Sequence, residues 1–132
     1  MMEKVDWNNI FKIRLSNNVS ESMDKHDVIK TLIVRKILRK YRNRAWIRVY
    51  CEFSLNGSGL KPDIMFQDLK NKSVICYEIQ KNVNDKYIKD RKERYDKVEI
   101  PYMKTTDLII IPIKEAPENI KELNLWLEKY IF

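Results

Sequence analysis

The chain has 132 residues, 34% of them charged, with 26 Lys and Arg against 19 Asp and Glu and a net charge of +7. That length suits one domain with a real core and excludes two, and with no run of eighteen apolar residues a transmembrane helix is excluded as well. The basic excess favours a polyanionic partner, most simply nucleic acid, although the same balance also keeps a small protein soluble.

The opening MMEKVDWNNIFKIRL lacks the apolar core and small-residue cleavage site of a secretory signal, so a cytoplasmic location is expected. Residues 1–19 are mixed: Trp7, Ile10, Phe11, Ile13 and Leu15 suit a short helix or a strand packed on the body of the domain. Helical periodicity begins at Ser20, a candidate cap, with Glu21 and Asp24 in the first turn. Val28, Ile29, Leu32, Ile33, Ile37, Leu38 and Tyr41 recur at helical spacing, and Lys30, Arg35, Lys36, Arg39 and Lys40 are assigned to the opposite face. No acid occurs between Asp27 and Glu52, whereas an ordinary surface helix mixes both signs. Part of that asymmetry follows from the preference of cations for a helix C-terminus.

Ala45 to Leu55 alternates as a first strand, and Asn56-Gly57-Ser58-Gly59, which holds both glycines of the chain, turns it back. The stretch KPDIMFQDLKNKSVICYEIQK, residues 61–81, then reads as two strands joined by a polar turn from Asp68 to Ser73. Asn82 to Asn84 ends the third strand and caps a helix over 85–99, in which Tyr87, Ile88, Arg91, Tyr95 and Val98 sit among Lys86, Lys89, Lys92, Arg94 and Lys97. Thr106 to Pro112 is a continuous apolar run, suited to a strand buried on both faces and parallel to the one before it. Pro117 opens a last helix with Ile120, Leu123, Trp126, Leu127, Tyr130 and Ile131 on one side. The fold class is therefore α/β, in the order α-β-β-β-α-β-α, with a mixed sheet flanked by helices. Cys51 and Cys76 lie in apolar strand surroundings as reduced thiols, and two cysteines with one histidine do not build a standard zinc site.

The chemistry concentrates in the hairpin. Asp63 opens its first strand and Glu78 lies near the end of its second, so an antiparallel pairing brings the two carboxylates side by side. Glu78 and Gln80 share one face of their strand. Oxygen ligands of this kind suit Mg²⁺, or Mn²⁺, which takes one or two carboxylates and fills the rest with water and phosphate. Each acid also has a plainer role, Asp63 as a turn residue and Glu78 as a partner of Arg48. Glu52, one strand away, either faces the same site or pairs with a basic residue. Tyr87, Tyr95 and Tyr102 either stack on bases or mark the boundary of an amphipathic helix.

Pro62-Asp63 on one strand and Glu78-x-Gln80 on the next, preceded by a helix, resemble the PD-(D/E)XK nuclease superfamily over roughly Ser20 to Ile113. The resemblance implies a restriction-endonuclease-like fold and a metal-dependent DNA endonuclease. It implies Asp63, Glu78, Gln80 and Lys81 as the catalytic set and Asp63, Glu78, Glu52 and Glu21 as metal ligands. Gln80 stands where the family has lysine, with Lys81 one step on; an amide bonds a phosphate or a water but is not a base. For the family's first-helix acid, Glu21, Asp24 and Asp27 are all candidates, with His26 among them. Lys30, Arg35, Arg39, Lys86, Lys89 and Lys92 would bind the DNA backbone. The small size resembles archaeal Holliday junction resolvases, which implies a homodimer acting on branched DNA. The competing expectation is a nucleic-acid-binding protein that keeps the fold without the activity.

Overall fold

The computed structural model describes residues 21–55 and 57–131, with side chains from Asp24 onward. The N-terminal segment expected to pack on the core, and the expected cap at Ser20, lie outside the described residues. The first helix, α1 (Glu21–Lys40), contains neither Gly nor Pro, and Arg39 and Lys40 close it in favour of its dipole. Its buried stripe is His26, Ile29, Lys30, Ile33, Val34, Ile37 and Leu38, an i, i+3, i+4 repeat. Three expectations change here. Val28 is exposed, Lys36, assigned to the outer face, is buried, and Lys30, assigned there too, is fully buried one helical turn from His26.

Strand β1 (Ile47–Cys51) buries Ile47, Val49 and Cys51 and exposes Arg48. It is shorter than the expected 45–55: a 3₁₀ turn, Arg44–Trp46, precedes it, and Glu52 at φ 53° turns the backbone out of the extended region. The chain returns through a single antiparallel bridge, Leu55 to Leu60, with Gly57 and Gly59 both at positive φ between them. Strands β2 (Ile64–Asp68) and β3 (Ser73–Gln80) form the expected hairpin. Its turn is held by Asp68, whose carboxylate accepts from the backbone N–H groups of Lys70 and Asn71 and from the Asn71 amide. Helix α2 (Asp85–Asp96) starts where the Asn84 side chain accepts the N–H of Tyr87 at 2.8 Å.

Strand β4 (Thr105–Pro112) runs parallel to β3, giving a four-stranded mixed sheet in the order β1-β2-β3-β4. Burial of β4 on both faces is not what the fold provides. Among the described residues it is an edge strand, with Ile111 buried but Leu108, Ile109 and Ile110 only half-buried. The last helix, α3 (Ile120–Trp126), begins three residues later than Pro117, capped by Asn119, and continues as a 3₁₀ turn over Leu127–Tyr130. Leu123 and Leu127 face inward, whereas Ile120 and Leu125 are exposed.

Alternation along the strands divides the core in two. Ile64, Phe66, Ile75, Tyr77, Ile79 and Ile111 meet α1 and α3 on one face of the sheet. Met65, Val74 and Cys76 meet Tyr95, Leu55 and Leu60 on the other, beneath α2. Full burial of a side chain such as Phe66 contributes about 1.5–3 kcal/mol, and its ring stacks at a tilt 5.0 Å from Tyr41. The Tyr77 hydroxyl, at the centre of the first layer, donates to the carbonyl of Tyr130 at 3.0 Å and ties the C-terminal turn to the sheet. Cys51 and Cys76 are buried and form no disulfide among the described residues, and burial raises the Cys76 thiol to about 12, which keeps it protonated. No helix among the described residues is long and apolar enough to cross a membrane.

Candidate functional site at the end of the sheet

Asp63 precedes β2 by one residue. Its N–H donates to the carbonyl of Tyr77 at 2.9 Å, although Tyr77 is already paired with Ile64, so two residues of this strand face one of the next, as in a bulge. That extra residue re-aims the Asp63 side chain. One carboxylate oxygen, Oδ2, accepts the N–H of Ile79 at 2.7 Å, and the other, Oδ1, lies 3.0 Å from Nε2 of His26 on α1. Asp63 thus joins β3 to the first helix across the end of the sheet.

Glu78 is buried on the α2 side, where its Oε1 accepts a 2.6 Å hydrogen bond from the Tyr95 hydroxyl. Burial raises its carboxyl above the usual range. The Tyr95 bond opposes that rise, the charge of Asp63 adds to it, and Arg91 and the Gln80 amide oppose it. The two carboxylates therefore feel each other, and Gln80 stands beside Glu78, on the strand face they share.

His26 is held between two acids, with Nδ1 3.2 Å from Asp27 Oδ1 and Nε2 facing Asp63. Burial pulls its pKa down, but the bond to Asp63, the Asp63 charge and the bond to Asp27 outweigh it, and the net shift is upward from 6.5. Of the three first-helix acids, Asp27 reaches the site through His26, Asp24 is exposed, and the side chain of Glu21 lies outside the described residues. Lys30 sits one turn along, its Nζ 3.6 Å from Glu52 Oε1. The Glu52 N–H also donates to the carbonyl of Asp63 at 3.1 Å, so the ion pair borders the site. Glu52 is thereby engaged by a basic residue, one of its two expected roles. Lys30, buried and paired, is not on a surface that DNA could reach.

From α2, Tyr87, Arg91 and Tyr95 recur every four residues and point at the carboxylates. Tyr95 is 2% exposed and bound to Glu78, so it does not stack on bases, whereas Tyr102 stands out in solvent. The Arg91 guanidinium lies 5.3 Å from the centre of the Tyr87 ring. Burial and the nearby charge of Glu78 push the Tyr87 phenol up to about 12. Lys81 is exposed past the end of β3, outside the set of groups that act on Glu78. Arg48 does not pair with Glu78; it is exposed and donates to the carbonyl of Ile47 at 2.7 Å.

Sequence reasoning placed Asp63, Glu78 and Gln80 at one end of the sheet but missed Lys30 as an inward residue and the roles of Tyr95 and Arg91. The signal for Lys30 was its position four residues after His26, between Ile29 and Ile33, on the inner stripe. For α2 the signal was the spacing of 87, 91 and 95. The exposed cations expected to bind the DNA backbone fall into two groups. Arg35 and Arg39 border a cavity between α1 and α3 that Leu32, Lys36, Ile120 and Lys121 also line. Lys86, Lys89 and Lys92 lie on α2, over the opposite face of the sheet. Lys36 is buried and ion-paired to Glu128.

Among the described residues, no three His, Cys, Asp or Glu side chains gather closely enough to hold a metal ion by themselves. Two carboxylates suffice for Mg²⁺ when water and phosphate complete its shell. Glu78, buried and drawn toward its protonated form, is a carboxylate that a cation would relieve. No protein-family model, curated protein or solved structure matches the chain.

Proposed function

We propose that the protein is a divalent-cation-dependent endonuclease of the PD-(D/E)XK type that hydrolyses phosphodiester bonds in DNA. The observation that supports this reading is that Asp63, just before β2, and Glu78, on β3, lie at the same end of a mixed sheet between two helices, where the charge of Asp63 raises the Glu78 carboxyl. Asp63 and Glu78 would hold Mg²⁺, which supplies a Lewis acid for the phosphate and lowers the pKa of a bound water. The residues of the chain divide the remaining work. Ile79 N–H fixes the Asp63 carboxylate, Tyr95 fixes that of Glu78, and the Gln80 amide lies where it can bond a water or a phosphate oxygen. His26 Nε2, 3.0 Å from Asp63 Oδ1, orients that carboxylate from the first helix. Branched or junction DNA is the first substrate class to try, with two copies of the chain supplying two such sites.

A second reading has its own support. Both Asp63 oxygens already have a partner, and Gln80 replaces the family lysine, which suits a protein that binds DNA without cutting it. Incubation of the pure protein with supercoiled plasmid and with four-way junction DNA, with Mg²⁺, Mn²⁺ or a chelator, separates the two. Nicks or linear products that need the metal support the enzyme. Retarded but intact DNA in every lane establishes the second reading instead.

A further inference from the structure

The Nε–H of Arg91 and the hydroxyl of Tyr87 are both buried without a well-formed hydrogen bond, although Arg91 lies close enough to act on the phenol. They sit one turn apart on the stripe of α2 whose next member, Tyr95, touches Glu78. Buried donors of this kind are rarely left without acceptors. The guanidinium packs over the Tyr87 ring at 5.3 Å, which holds its plane fixed and leaves its fork of N–H groups oriented. What they lack is an acceptor that is anionic and has several oxygens.

We propose that Arg91 and Tyr87 form an oxyanion subsite that receives one phosphate group of a nucleic-acid strand beside the Asp63–Glu78 pair. Arg91 donates through its planar fork and Tyr87 through its hydroxyl, so a tetrahedral phosphate satisfies both orphan donors at once. The first turn of α2 adds exposed Lys86 and Lys89, which guide the neighbouring phosphates without being buried. Position in the fold explains the choice of partner. A strand with repeated phosphates meets Arg91 together with Lys86 and Lys89 on the same helix, whereas a single carboxylate would use one of them. The location beside the carboxylates rests on the nuclease reading; the anion subsite itself does not.

The test is made on the full chain in the presence of a chelator, so that binding is separated from cleavage. Inorganic phosphate and a single-stranded thymidine octanucleotide are titrated while the Arg91 Nε–H resonance is followed by NMR, and oligonucleotide affinity is measured by fluorescence anisotropy. The expected result is a saturable shift of that resonance with both probes. Arg91→Gln should weaken oligonucleotide binding at least about tenfold and Tyr87→Phe about threefold, whereas Lys70→Gln, which removes the same charge from the distant β2–β3 turn, should weaken it less than about twofold. Should Arg91→Gln not fold, Arg91→Lys keeps the charge but loses the fork, and an affinity intermediate between wild type and Lys70→Gln would then count against the subsite. An Arg91 resonance that does not move, together with Arg91→Gln no weaker than Lys70→Gln, overturns the subsite, and Arg91 is then only a counterion of Glu78. Failure of the nuclease reading looks different: anion binding that depends on Arg91, with no metal-dependent cleavage of any substrate.

Discussion

Replacing Glu78 with glutamine, or Asp63 with asparagine, removes charge while keeping nearly the same shape. DNA should still bind to either variant, and metal-dependent cleavage should fall by at least ~10²-fold, because losing a charged group at a reacting centre typically costs several kcal/mol. Gln80→Lys should preserve or raise the rate and Gln80→Ala should lower it; plasmid nicking with Mg²⁺ measures all four. Tyr95→Phe tests what keeps Glu78 ionisable. That hydroxyl lowers the Glu78 pKa, so its loss should move the carboxyl titration upward in ¹³C NMR and destabilise the fold by about 1–3 kcal/mol. The direction of the pH effect follows from the same groups. Glu78 and His26 both have folded pKa values above their ordinary 4.5 and 6.5. Each therefore contributes stability that is complete below its ordinary value and is lost as pH rises through the folded one. The unfolding temperature of the metal-free protein should fall as pH climbs from below 4.5 to beyond 6.5. Added Mg²⁺ should restore stability most at the upper end, where both carboxylates are charged. A melting temperature that rises across that range would contradict this account of the site.

At the scale of elements, the β2–β3 turn and the bulge at Asp63 set the geometry on which the site depends. Asp68 satisfies three donors of the turn, and it is buried. Asp68→Ala should destabilise the protein by about 1–3 kcal/mol in chemical denaturation, since it leaves turn N–H groups without partners. Lys72 closes the same turn at φ 56°, a conformation that a β-carbon disfavours. Lys72→Gly should therefore stabilise by about 0.5–1 kcal/mol, the strain relieved less the added freedom of the unfolded chain. No comparable relief is expected at Glu52, also at positive φ, because its carboxylate pairs with buried Lys30. Removing that partner would leave an ammonium in the core, and Glu52→Gly should be destabilising in the same assay.

For the molecule as a whole, the decisive fact is that the exposed cations expected to meet DNA lie on two layers. The α1 cations, Arg35 and Arg39, are roughly 14–20 Å along their helix from His26 at about 1.5 Å per residue, in the groove against α3. The α2 cations begin beside Tyr87, at the site end of the sheet. A strand engaged at Asp63 and Glu78 should depend on Lys86 and Lys89 and much less on Arg35 and Arg39. Charge reversal at Lys86 and Lys89 should lower DNA affinity and flatten its dependence on salt, by about one unit of log–log slope for each phosphate no longer neutralised. The corresponding Arg35 and Arg39 variants should leave that slope nearly unchanged. Equal losses from both pairs would mean that DNA spans the groove as well as the site.

Much of this was legible in the chain itself. Local patterns depend on neighbours in sequence, and these held: the period-2 alternation of Ile47, Val49 and Cys51, the polar turn after Asp68, the Asn84 cap, and the element order that makes β3 and β4 parallel. That Asp63 and Glu78 lie at the same end of neighbouring chain segments followed from hairpin geometry. Other features were settled only by packing. β4 has an apolar sequence that suits a central strand, yet among the described residues it lies at the edge, because a chain that pairs in order adds its last strand to one side. Lys30 looked like a surface cation because its type suggested solvent, but the inner stripe of α1 carries it into the core, where Glu52 meets its charge. Tyr95 and Arg91 became part of the site because a crossover helix must land on the sheet, and this one lands on Glu78. Sequence by itself determined the type and order of the elements, since steric and hydrogen-bonding preferences act over a few residues. Which charged groups are buried together was decided by the tertiary structure alone, because the energy of a buried charge depends on the partner that long-range packing brings to it.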